Sequence, residues 1–129
     1  MPDNLKAQFK ITYTPDSSSK RVGMVVTDEN DEGVDQLQFN SDMTGTNTDF
    51  GTQDVGTSEE TLDLSADVGD NPYIIIKNTD DANYVEVGLT SSYSIQIPKG
   101  EIVAFRANGT MTVKADTAEV KIQYWAFEK

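Results

Sequence analysis

From residue 73 to the C-terminus, turn-forming residues interrupt the chain every six to twelve positions, leaving only short apolar segments between them. No window in this half has the 3.6-residue spacing of an amphipathic helix, so helical folds are excluded and a set of short strands is required. The spacing predicts strands over 73–78, 84–89, 93–97, 102–107, 110–114 and 119–127. They are separated by Asp80-Asp81, Ser91-Ser92, Pro98-Lys99-Gly100, Asn108-Gly109 and Ala115-Asp116-Thr117. Val, Ile, Thr, Phe, Tyr and Trp make up 44 of the 129 residues, so β-propensity agrees with the pattern.

The first half carries weaker versions of the same signal. Leu5, Ala7, Phe9, Ile11 and Tyr13 alternate with polar residues, Val22, Met24 and Val26 follow, and Val34, Leu37 and Phe39 predict a further strand. Leu62 and Leu64 place an inward-facing pair over 60–64. Residues 40–57 are dominated by Ser, Asp, Thr, Gly, Asn and Gln, with Met43, Phe50 and Val55 the only large apolar side chains. Such a stretch predicts a long acidic loop. These segments together predict an all-β fold: a single-domain antiparallel β-sandwich over 1–129, jelly-roll-like, with that loop in its first half.

The chain holds 22 acidic and 10 basic side chains, with neither His nor Cys. The two absences remove His-based acid/base catalysis, Cys and Ser-His nucleophiles, and His- or Cys-ligated metals. Thirteen of the acids lie in 22–72, where there is no Lys or Arg. An acidic surface repels phosphate backbones, so no nucleic-acid partner is expected and basic protein surfaces are the expected contacts. The longest apolar run, Tyr73-Ile74-Ile75-Ile76, is far too short to span a bilayer, and Met1-Pro2-Asp3-Asn4 opens no secretory leader, so no membrane association is expected.

Asp28, Asn30 and Glu32 alternate oxygen ligands before Gly33, as a calcium loop does, but the twelfth position of such a loop is Phe39, which cannot ligate. A solvated hairpin turn between Val26 and Val34 is the favoured reading, with calcium as its alternative. No pair of the 22 carboxylates sits in a catalytic motif, so no enzyme activity and no cofactor are expected. Asn108-Gly109 predicts a two-residue hairpin joining its flanking strands. On the last strand, Trp125 and Phe127 break an otherwise polar face. They predict either core covered on both sides, the favoured reading, or an aromatic patch exposed for a partner or a sugar.

Three runs carry a family resemblance. They are Tyr73-Ile74-Ile75-Ile76-Lys77-Asn78-Thr79-Asp80-Asp81-Ala82-Asn83-Tyr84-Val85-Glu86-Val87-Gly88; Ile97-Pro98-Lys99-Gly100-Glu101 with Ala104-Phe105-Arg106; and Val113-Lys114-Ala115-Asp116-Thr117-Ala118-Glu119-Val120. Over about residues 60–129 the chain resembles small virion structural proteins of tailed bacteriophages. The resemblance implies a non-enzymatic capsid decoration or cement protein, made in the host cytoplasm and carried on the virion surface. It implies contact with the major capsid protein or other virion proteins, and assembly as a homo-oligomer. A tail or fibre module that binds a host glycan is the alternative. The polar turns at 78–83 and 98–100 predict that these strands run as a tight meander.

Overall fold

The computed structural model describes residues 45–129 in full, together with the backbone of four strands nearer the N-terminus: β1 (Asp3–Phe9), β2 (Val26–Thr27), β3 (Gly33–Val34) and β4 (Leu37–Met43). The chain divides into two units, Pro2–Asp42 and Met43–Lys129. In the first, β1 pairs with β4, and β2 pairs antiparallel with β3, Val26 opposite Val34.

The second unit is built from eight strands: β5 (Thr48–Val55), β6 (Glu60–Thr61), β7 (Tyr73–Asn78), β8 (Val85–Leu89), β9 (Ser92–Ile97), β10 (Ile102–Arg106), β11 (Thr112–Ala115) and β12 (Val120–Phe127). One turn of 3-10 helix, Ala66–Val68, interrupts them. The strands form two four-stranded antiparallel sheets, β10-β7-β12-β5 and β6-β11-β8-β9. This is the all-β sandwich that the turn spacing predicts. Its core combines Val55, Ile74, Ile76, Ile122, Tyr124 and Ala126 of the first sheet with Val85, Val87, Ile97, Val113 and Ala115 of the second. Period two explains the selection, since Ile74, Ile76 and Asn78 are buried while Tyr73, Ile75 and Lys77 between them are only partly so.

Three expectations are corrected. Residues 40–57 are not a long loop: β4 runs to Met43, β5 begins at Thr48, and the eight residues of β5 pair in unbroken register with β12. Apolar content did not announce β5 because its inward positions hold Asp49, Gly51 and Gln53, which are satisfied by polar partners. The Asn108-Gly109 turn joins no hairpin. Its flanking strands lie in different sheets, β10 on β7 and β11 on β6 and β8. Gly109 takes a φ of 92° and its N–H donates to the Asp70 carbonyl at 2.9 Å, turning the chain from one sheet to the other. The meander fails for the same reason, because β7 to β8 and β9 to β10 also cross between sheets, and of the strands from β7 onward β8 and β9 alone form a hairpin.

Asn78 holds the first of these crossings. Its buried side chain donates to the carbonyls of Asn83 and Ile97, both at 2.9 Å, and accepts the Asp80 N–H at 2.8 Å. The Asp80 carboxylate in turn accepts the N–H groups of Ala82 and Asn83 at 3.0 and 2.6 Å, which holds it below the usual carboxylate range. No buried side-chain polar atom among the described residues lacks a partner.

Candidate interaction face

The outer side of the β10-β7-β12-β5 sheet is where the sequence-predicted aromatics sit. Along β12 the inward positions Val120, Ile122, Tyr124 and Ala126 are buried, so Trp125 and Phe127 point outward and are half-buried. Both sequence readings are thereby modified, as these rings are neither core nor fully exposed.

Register places further apolar groups beside them. Trp125 lies opposite Phe50 on β5 and Ile75 on β7, and Ile75 lies opposite Ala104 on β10. One apolar row, Phe50-Trp125-Ile75-Ala104, thus crosses the whole sheet. On one side of it runs Thr48-Phe127-Tyr73-Arg106, and on the other Thr52-Gln123-Lys77-Ile102. Phe50 and Ile102 are 57% and 59% exposed, high for large hydrophobic side chains. With about 4.8 Å between strands and about 6.8 Å between same-side residues, the three rows cover about 400 Å². Seven of these twelve positions are apolar or aromatic and five are polar, which makes the face a candidate contact site.

The aromatics are held in place. Phe50 meets Phe127 edge to face, ring centroids 5.9 Å apart at 77°. The Arg106 guanidinium lies 5.4 Å over the Tyr73 ring, and its Nε donates to the Asn71 carbonyl at 3.3 Å.

The placement of Phe50 depends on the register of β5, which polar groups set from inside. Asp49 accepts the Ser65 N–H at 2.6 Å. Gln53 donates to Glu60 at 2.8 Å and to the Thr61 carbonyl at 3.0 Å, and accepts the Asp63 N–H at 2.8 Å. Gly51 lies across from Tyr124, where a Cβ would come within 2.7 Å of the phenol oxygen, and that hydroxyl donates to the Asp63 carbonyl at 2.8 Å. Burial raises the Tyr124 phenol above its usual range. At the start of β5, Glu128 Oε2 accepts the N–H groups of Thr46 and Asn47, both at 3.1 Å, and the Asn47 side-chain amide at 2.8 Å.

Phe50, Ile75 and Ile102 are the members that sequence reasoning missed. Trp125 and Phe127 flagged the face on their own strand, but only the pairing of β5, β7 and β10 with β12 brings the others beside them. Asp28, Asn30 and Glu32 lie outside the described residues, and the antiparallel pairing of β2 with β3 fits the hairpin reading of the segment between them. Among the described residues, no group of three or more His, Cys, Asp or Glu side chains is arranged to hold a metal ion.

On the second sheet, the Glu59 carboxylate accepts the Tyr93 hydroxyl and the Ser91 N–H, the latter at 2.6 Å, and these bonds hold it below the usual range. Burial, then the Glu59 bond, raises the Tyr93 phenol. Tyr84 is raised by its hydrogen bond to Asp116 and then by burial. These groups fasten loops to strands.

Compared with known proteins, the chain matches no family model, and no curated sequence or solved structure is significantly similar to it.

Proposed function

We propose that this chain is a non-enzymatic structural protein of a tailed-bacteriophage virion. In this reading it is a decoration or cement protein that seats the outer face of the β10-β7-β12-β5 sheet on the assembled capsid and stabilises the shell. The observation that carries the proposal is the apolar row Phe50-Trp125-Ile75-Ala104 lying open on a sheet. Burying it against another surface is favourable by roughly 25 cal/mol per Å² of apolar area.

Two further points support the reading. Residues 60–129 resemble small virion proteins. The strand order β10-β7-β12-β5 over β6-β11-β8-β9 also fits two interlocked Greek keys, the jelly-roll connectivity used by many capsid domains. The face covers about 400 Å² against the roughly 800 Å² that each partner contributes to a standard interface, its apolar and aromatic positions forming a centre and its polar ones the start of a rim. The proposed partner is the major capsid protein, met by several copies of this chain.

Purified virions should contain the chain, and the isolated protein should bind mature shells saturably but not unassembled subunits. Phe50→Ser, at an exposed position, should lower that binding at least tenfold without changing the fold. Absence of the protein from virions rejects the reading. The glycan-binding alternative draws on the same aromatic platform, since sugar rings stack on indole and phenyl faces; retention on a glycan array with no shell binding would favour it.

A further inference from the structure

Residues 45–129 carry fourteen carboxylates and six Lys or Arg. On net charge, a surface of this unit should prefer a basic partner. The outer face of the β10-β7-β12-β5 sheet is the exception. Its outward positions hold Lys77, Arg106 and Lys121 and one acid, Asp54, which lies 3.5 Å from Lys121.

Lys77 and Arg106 are left to set the local field. Lys77 is one strand and one row from Trp125, about 8 Å by backbone spacing, and Arg106 is two strands and one row away, about 12 Å. Carboxylates displayed on the far sheet lie a further sheet spacing of about 10 Å beyond, while charges are screened over about 8 Å at physiological salt. The charged side chains that point outward beside the aromatic centre are thus Lys77 and Arg106, while the nearest carboxylates of this sheet, Asp49, Glu101 and Glu128, occupy an inward position or the strand ends. Arg106 is also pre-oriented: Tyr73 and the Asn71 carbonyl fix its guanidinium, and its Nη groups have no acceptor among the described residues. A fixed guanidinium with free Nη donors is suited to a carboxylate. Two copies meeting through this face would set cations against cations, which disfavours self-pairing there.

Taking the proposed contact surface as given, we infer that its partner is a protein surface with an apolar centre and carboxylates on the rim, placed to meet Lys77 and Arg106. The basic partner expected from net charge is thereby reversed for this face. A phosphate polymer is disfavoured because the apolar row occupies the middle of the face and the rest of the molecule repels polyanions.

The chain's single Trp provides the first test. With each quenching constant normalised to that of free N-acetyltryptophanamide, iodide should quench Trp125 emission at least as strongly as caesium at equal ionic strength, and the double variant Lys77→Glu/Arg106→Glu should reverse the order. Stronger quenching by caesium in the unmodified protein would overturn the local-field argument. In the shell-binding assay, the double variant should bind at least tenfold more weakly, with most of the loss disappearing at 1 M salt. Unchanged or tighter binding of the double variant, while Phe50→Ser still weakens it, would overturn the acidic-rim inference and leave the contact face standing. Indifference of shell binding to both variants would reject the face itself. Binding to phosphatidylglycerol vesicles or to oligo(dT) that the double variant abolishes would overturn the assignment to a protein partner.

Discussion

Across the middle of β11, β8 and β9 the outward row of the second sheet reads Lys114, Glu86, Gln96, opposite charges side by side with an amide next to them. Across β5, β12, β7 and β10 the central outward row of the first sheet reads Phe50, Trp125, Ile75, Ala104. Both sheets close one core with the same alternation of buried Ile, Val and Ala. Their outer sides differ in whether neighbouring side chains satisfy one another. Opposite charges stand across from one another in the middle of the second sheet, and its one large exposed apolar side chain among the described residues is Leu89 at the end of β8. The first has an apolar central row, with Phe50 and, in the row beside it, Ile102 more than half exposed. The proposed contact therefore rests on this face of the first sheet.

The sharpest way to break this contrast uses two adjacent residues of one strand. Ile76→Ala, at a fully buried position, should cost about 2 to 5 kcal/mol in urea unfolding. Ile75→Ala, half-buried on the outer side, should cost about 1 kcal/mol. Equal costs would mean that the outer row is packed as tightly as the core, and the contact face would be lost as an idea. A smaller effect is expected at the strand that brings Phe50 to the face. Gly51→Ala drives a Cβ into the Tyr124 phenol and should cost about 1 to 3 kcal/mol by overpacking, with a change in Trp125 emission as β5 shifts. Unchanged emission would show that β5 and Trp125 are not coupled.

Much of this sandwich can be read without coordinates, and the unread parts share a cause. The strand expected over 73–78 coincides with β7, and that over 119–127 begins one residue before β12, because alternation and local turn residues report strands directly. Turn chemistry does not report what a turn connects. Gly100 and Gly109 both adopt positive φ, as a hairpin glycine does, yet both lie in connections that cross from sheet to sheet. Whether such a turn closes a hairpin depends on the distant strand that each flank pairs with. The same holds for β5. Asp49 and Gln53 look like loop residues until Ser65, Glu60 and Asp63 are brought under them. Trp125 was legible as an oddity on a polar face, whereas its partners Phe50 and Ile75 appear only once the register is known.

The joints between the sheets give a pH-dependent test, smaller than the core effects. The folded-state value of Asp80 is depressed by the N–H groups of Asn83 and Ala82. The folded protein therefore binds fewer protons than the unfolded chain once the pH drops toward about 4, the ordinary Asp value. The contribution of Asp80 is fully present above that value and is lost as pH falls through the depressed one. Glu59, depressed by Tyr93 and Ser91, acts in the same direction. Stability should decline on acidification below about pH 4.5, and Asp80→Asn should flatten the acid limb of a stability-against-pH curve. An unaltered acid limb in that variant would remove Asp80 from the account.

The smallest expected effect separates the two outer faces most directly, because it compares the same residue type on each. Lys114 stands opposite Glu86 in the register of β11 and β8, so Lys114→Ala should cost about 0.2 to 1 kcal/mol, falling toward zero at 1 M salt. Lys77 stands opposite Ile102 and Gln123, neither of them an anion, so Lys77→Ala should leave the stability of the free protein within about 0.5 kcal/mol and insensitive to salt. The same substitution should nevertheless weaken binding to the proposed capsid partner. A cation with no stabilising neighbour in the free protein but a measurable role in the complex belongs to the interface. Equal, salt-sensitive costs at both lysines in the free protein would show instead that the two faces are electrostatically alike.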